Sequence, residues 1–114
     1  MTLNEAESKY IFNDGQIISC TINFVGETLV VLVLKVREQI GKKFVEVLLE
    51  LKFRNLSEFN LCENFDTEYY SDLTLVELKS GEYYLSLDPF VNTNEPNEND
   101  NFIVKAKSLE ITRS

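Results

Sequence analysis

From Gln16 to Arg54 apolar and polar residues alternate with a period of two, the signature of strands with one buried face. Val45, Val47, Leu49, Leu51 and Phe53 alternate with Glu46, Glu50, Lys52 and Arg54, so one side of this segment is predicted to be buried and the other wet. In an earlier segment Ile18, Cys20, Ile22 and Phe24 share one side, and Ser19, Thr21 and Asn23 the other. Between them Thr28 to Val36 is apolar on both faces, which predicts a central strand covered on both sides. Gly26-Glu27 and the polar link Glu38 to Lys42, where Gly41 is free to take positive φ, separate the three as a meander. The predicted core is therefore Ile18, Cys20, Ile22, Phe24, Val30, Leu32, Leu34, Val45, Val47, Leu49, Leu51 and Phe53.

After Arg54 the alternation stops. Leu56, Phe59, Leu61 and Phe65 hold neither period for long, so Asn55 to Asp72 reads as a connection with one helical turn, capped by Asn55 or Ser57. Alternation resumes in Leu73 to Lys79, which faces Tyr83 to Asp88 across Ser80-Gly81-Glu82 as a hairpin. Residues 89–101 form a polar loop containing both prolines, Pro89 and Pro96, and are expected to be exposed and mobile. In the last segment Phe102, Val104 and Ala106 share a face while Leu109 and Ile111 continue in the opposite parity, as a β-bulge near Lys107-Ser108 would produce. With residues 1–9 as an N-terminal tail, residues 1–114 read as a single domain. The expected class is all-β, an antiparallel sandwich or open barrel of six to seven strands with at most one short helical turn.

Charge adds a second pattern. Asn55 to Asn101 holds eleven acids against one base, Lys79, in a chain whose net charge is −8. Phe59, Phe65, Tyr69, Tyr70, Tyr83, Tyr84 and Phe90 are interleaved with these acids, and such a surface suits a cationic protein. Glu63, Asp66, Glu68, Tyr69, Tyr70 and Asp72 are the candidate partner-binding residues. Of each pair Tyr69-Tyr70 and Tyr83-Tyr84, one ring is expected in the core and one on the surface, because strand neighbours point to opposite faces. A pI near 4.5 argues against nucleic acid and anionic membrane as partners, since both repel a negative surface. The pattern does not specify whether the chain self-associates.

Catalytic chemistry finds little to work with. The chain has no histidine, which removes the commonest general base and the Ser-His and Cys-His nucleophile pairs. Its four glycines form no phosphate-binding motif, and Cys20 and Cys62 lie far apart, are expected to be reduced, and cannot close a zinc site alone. The expectation is a non-enzyme with no catalytic residues, no cofactor and no resident metal. A carboxylate-pair hydrolase and a calcium module are the minor alternatives. For calcium, Asp88, Asn92, Asn94, Glu95, Glu98 and Asp100 offer oxygen ligands. Read as an EF-hand from Asn92, however, the loop has Pro96 at the fifth position, Asn97 where glycine is needed and Ile103 where the final glutamate belongs. A solvated acidic loop is the preferred reading. The longest apolar run, Leu29 to Leu34, is far short of the roughly 20 residues that span a bilayer. Met1 to Tyr10 carries Glu5 and Glu7 and lacks the apolar stretch of a secretory signal, so a cytoplasmic protein is expected.

Two runs carry a resemblance. Ile11-Phe12-Asn13-Asp14-Gly15-Gln16-Ile17, ahead of a strand, and Tyr83-Tyr84-Leu85-Ser86-Leu87-Asp88-Pro89-Phe90, followed by Asn99-Asp100-Asn101-Phe102, resemble small bacterial proteins that accompany polymorphic toxin systems as immunity proteins. The resemblance implies a cytosolic, stoichiometric inhibitor without catalysis. Joined to the acidic aromatic segment, it makes an immunity-like inhibitor of a basic protein, such as a toxin domain, the leading expectation. A structural or adaptor β-domain is the alternative.

Overall fold

Among the described residues six strands and one helix make up the fold: α1 (Leu3–Lys9), β1 (Tyr10–Asn23), β2 (Leu29–Ile40), β3 (Lys43–Asn60), β4 (Thr74–Glu77), β5 (Tyr83–Asp88) and β6 (Asn101–Arg113). The computed structural model describes residues 1–60 and 68–114. All six strands join one antiparallel sheet in the order β1-β2-β3-β6-β5-β4, curled into a half-barrel. The all-β expectation holds in its open-barrel form, because the single sheet curls onto itself rather than packing on a second one. The connection from β3 to β4 crosses to the far edge, and the chain then returns inward through β5 to β6.

Register explains the core. Val30, Leu32, Leu34 and Val36 of β2 stand opposite Phe53, Leu51, Leu49 and Val47 of β3, and all eight are buried. Leu85, Val104, Ala106 and Ile111 close the same cluster from β5 and β6. Contrary to the two-sided burial expected for β2, its other face is convex and only half-covered: Leu29, Val31 and Val33 are partly exposed. Glu50 and Lys52 of β3 stand opposite Val33 and Val31, each half-buried, and pair with each other at 3.3 Å.

Four residues assigned to the core are exposed instead. Ile18 is the extra residue of a bulge, since pairing steps from Ile17 opposite Leu34 to Ser19 opposite Val33. Cys20 faces Leu32 yet is exposed, because β1 is an outer strand and its inner side chains have a ladder neighbour on one side only. Phe24 lies past the end of β1, and Val45 lies beyond the last core layer near the β2–β3 turn.

Local signals correct three further boundaries. The expected N-terminal tail carries α1. Of Asn55–Asp72, where a helical turn was expected, residues 55–60 belong to β3 and residues 61–67 lie outside the described residues. Thr2 Oγ1 accepts from the Glu5 N–H at 3.1 Å, and Glu5 Oε1 accepts from the Thr2 N–H at 3.2 Å, a reciprocal capping box. That Thr2 backbone hydrogen bond, helped by the one from its side chain, holds the Glu5 carboxyl below its usual range. β3 continues past Arg54 to Asn60, because at Asn55 (φ 58°) the chain changes face and keeps Leu56 and Phe59 against the core. Thr28 fixes that change, its carbonyl accepting from the Asn55 N–H and its hydroxyl from the Leu56 N–H, each at 2.9 Å. The bulge expected at Lys107-Ser108 lies across the ladder on β3: pairing passes from Leu56–Ala106 to Glu58–Lys105, leaving Ser57 as the extra residue.

The 89–101 segment is exposed over most of its length, as expected, but it is anchored. It folds over the outer face of β5 and β6, where Tyr84, Ser86 and Ile103 are buried. Asp100 anchors it, accepting from Tyr84 Oη at 2.6 Å, the Phe90 N–H at 2.8 Å and the Asn97 N–H at 2.9 Å. Burial pushes this carboxyl up, but the three hydrogen bonds outweigh burial and hold it below its usual range. A carboxylate with a lowered folded-state value adds stability above its unfolded value near 4, and that increment disappears as pH falls through the folded value. Asp100→Ala should therefore cost about 2 to 3 kcal/mol at pH 7, by leaving buried donors without an acceptor. Urea midpoints taken from pH 7 down to pH 3 should converge for the two proteins, whereas a constant gap would remove Asp100 from the acid response.

Candidate functional site

The Asn13-Asp14-Gly15 run interrupts β1. Pairing with β2 breaks between Ile11 and Gln16, and Asp14 takes φ 56°, a left-handed geometry that aspartate tolerates better than most residues. The interruption opens a docking place for residues 68–71. Tyr69 forms a bridge with Gln16. Around it the Ile17 N–H donates to the Glu68 carbonyl at 2.7 Å, the Tyr70 N–H to the Gly15 carbonyl at 3.1 Å, and the Asp14 N–H to the Ser71 carbonyl at 2.7 Å.

Tyr70 locks this junction. Its ring lies directly on Gly15, where a Cβ would stand 2.7 Å from Tyr70 Cζ and 2.9 Å from the Lys35 carbonyl oxygen. Its hydroxyl donates to the Phe12 carbonyl at 2.6 Å, and burial pushes the phenol well above its usual range. Only glycine leaves room for that ring.

The expected partner-binding residues divide accordingly. Tyr70 is 7% exposed and serves the fold, so its assignment to the binding surface is corrected, whereas Tyr69 is 61% exposed. The division expected of each tyrosine pair holds at Tyr69-Tyr70 but not at Tyr83-Tyr84, where Tyr84 is buried and Tyr83 is half-buried and packed against the core. Glu68 and Asp72 are exposed on either side of Tyr69, and Glu68 Oε1 accepts from Gln16 Nε2 at 3.5 Å. Glu63 and Asp66 lie outside the described residues.

Residues far away in sequence complete the face. Tyr69 borders a shallow depression of about 180 Å³ with Asp14, Gln16, Lys35, Arg37 and Glu46. Its two bases are already engaged: Arg37 Nη2 donates to the Asn13 carbonyl at 3.0 Å, and Lys35 Nζ lies 3.8 Å from Glu46. Exposed Asp14 shares that depression with the exposed ring of Tyr69, and Glu68 and Asp72, also exposed, lie within three residues of it in the sequence. Such a surface can hold a cation against the ring and pair its neighbours with carboxylates. Among the described residues no cluster of three or more acids or cysteines is placed to hold a metal ion. The runs Ile11 to Ile17 and Tyr83 to Phe90, the latter with Asn99 to Phe102, coincide with the two tethers, the β1 interruption and the Tyr84–Asp100 anchor.

Comparison of the chain with protein-family models, curated proteins and solved structures gives no match.

Proposed function

We propose that the chain is a non-catalytic binding protein, an inhibitor of the immunity type, that takes up a basic partner through the face at Glu68, Tyr69 and Asp72. The observation that carries this reading is an exposed aromatic ring, flanked by exposed acids, on a segment that five residues of β1 hold in place. A pre-positioned ring loses little freedom on binding, and tyrosines of this kind are favoured anchors in interfaces. The acids contribute mainly to the encounter, by steering a positively charged partner toward the ring. Glu63 and Asp66, in the residues just before, belong to the same acidic run. The reading places the action in a bacterial cytoplasm and makes a basic toxin domain the target.

The test uses the polypeptide encoded beside this chain as the candidate partner. Tyr69→Ala should weaken the complex at least 30-fold, about 2 kcal/mol, with an unchanged melting temperature. Phe90→Ala, which removes a ring of equal exposure in the 89–101 segment, should change affinity less than threefold. Equal losses from both would count against an anchor at Tyr69.

A further inference from the structure

The half-barrel leaves a seam between β1 and β4, the two outer strands of the sheet. Which backbone groups of β4 face that seam follows from its ladder. The Leu78 N–H donates to the Glu82 carbonyl at 2.7 Å, so these two residues form a hydrogen-bonded pair. Such pairs alternate along an antiparallel ladder. Val76–Tyr84 and Thr74–Ser86 are then the next bonded pairs, and the amides and carbonyls of Leu75 and Glu77 point away from β5 into the seam. Among the described residues they meet no backbone partner there.

Beside this edge lie two adjoining hollows of about 440 and 510 Å³, bounded by Tyr10 and Phe12 of β1, Leu3 and Glu7 of α1, and Leu75 and Val76 of β4. The buried hydroxyl of Tyr10, which borders the first hollow, has no hydrogen-bond partner among the described residues. The charged residues lining the hollows are both acids, Glu7 and Glu77. Leu73 to Glu77 contains no proline or lysine, the residues that commonly blunt an outer strand against pairing.

The geometry points to strand addition at β4. An extended segment of a partner protein, with lysine or arginine alternating with aliphatic residues, pairs with the backbone of Leu75 and Glu77. Its aliphatic side chains enter the hollows, and its cations meet Glu7 and Glu77. β4 spans about 13 Å, enough to pair with roughly four residues of such a segment. The inference rests on the reading above that the partner is basic, and it names the segment of that partner and its place.

The probe is a blocked hexapeptide of alternating lysine and valine, added to the full chain while amide exchange is followed residue by residue. Exchange at Leu75 and Glu77 should slow at least tenfold, and a glutamate–valine peptide should have no effect. Glu77→Pro removes an N–H that β5 does not use, on an exposed side chain at an outer strand, so the fold should persist while the protection at Leu75 disappears. Glu77→Gln, which keeps the N–H, should lose no more than about threefold in peptide affinity. Absence of protection in the unmodified chain overturns the inference without need of any variant, as does protection that survives Glu77→Pro. Protection that rises with protein concentration, without peptide, also overturns it by assigning the edge to a second copy of the chain. The probe reads β4 and not Tyr69, so its failure is distinguishable from a failure of Tyr69→Ala to weaken the complex.

Discussion

Gly15→Ala should destabilise the protein by about 2 to 6 kcal/mol, although the position is small and the substitution adds one methyl group. The added carbon would meet the Lys35 carbonyl, which the β1–β2 ladder holds, and the Tyr70 ring, which would have to leave. Overpacking of this kind costs about 1 to 3 kcal/mol, and the Phe12 carbonyl loses its buried donor for about 1 to 3 more. A double-mutant cycle isolates the contact: in a Tyr70→Ala background the same substitution should cost at least about 1 kcal/mol less, the remainder being the clash with the Lys35 carbonyl. Because Tyr70 holds Tyr69 in place, Gly15→Ala should also weaken partner binding even at temperatures where the protein stays folded. A single-variant loss under about 0.5 kcal/mol would mean that the ring does not rest on Gly15.

Leu49→Ala should cost about 2 to 5 kcal/mol, the range for truncating a fully buried leucine in a packed core. Leu49 stands between Leu34 on β2 and the β6 ladder, so the hole has walls on both sides that cannot collapse without moving strands. Phe24→Ala, at a position the alternation pattern treats as equally central, should cost less than about 0.5 kcal/mol, because that ring is 69% exposed. Urea unfolding of the two variants decides the matter. Similar losses would mean that the strand faces are wrongly assigned.

The contrast between those residues shows where sequence is legible. In β3 alternation is regular, β2 is apolar throughout its centre, and each strand has a neighbour on both sides, so Leu32, Leu34, Leu49 and Leu51 are identifiable from the sequence. In β1 the same alternation misleads, because burial there depends on what covers an outer strand, and no local pattern carries that information. The change of face shared by β3 and β6 shows in the parity of Phe102 to Ile111 only as a bulge, since the pairing with β3 is not local. α1 was legible through Thr2-Leu3-Asn4-Glu5, a capping-box signature that composition alone hides. At the candidate site the acids and tyrosines of 68–72 are visible in the sequence. Their attachment to Asp14-Gly15, more than fifty residues earlier, is not, although an Asp-Gly pair inside a strand marks an irregular backbone. Glu46 is the sharpest case, remote in sequence from Tyr69 yet on the rim of the same depression.

Association kinetics test the proposed acidic face most directly. Glu68→Lys with Asp72→Lys changes the net charge as much as Glu95→Lys with Glu98→Lys, and all four residues are exposed. The rate of association with the basic partner should fall steeply for the first pair and lose much of its dependence on salt, while the second pair should produce a small, nonspecific decrease. Both variants should keep their melting temperatures, because exposed charges contribute little to stability. Equal slowing by the two pairs, with equal salt dependence, would show that only net charge matters and would contradict a binding face at Tyr69.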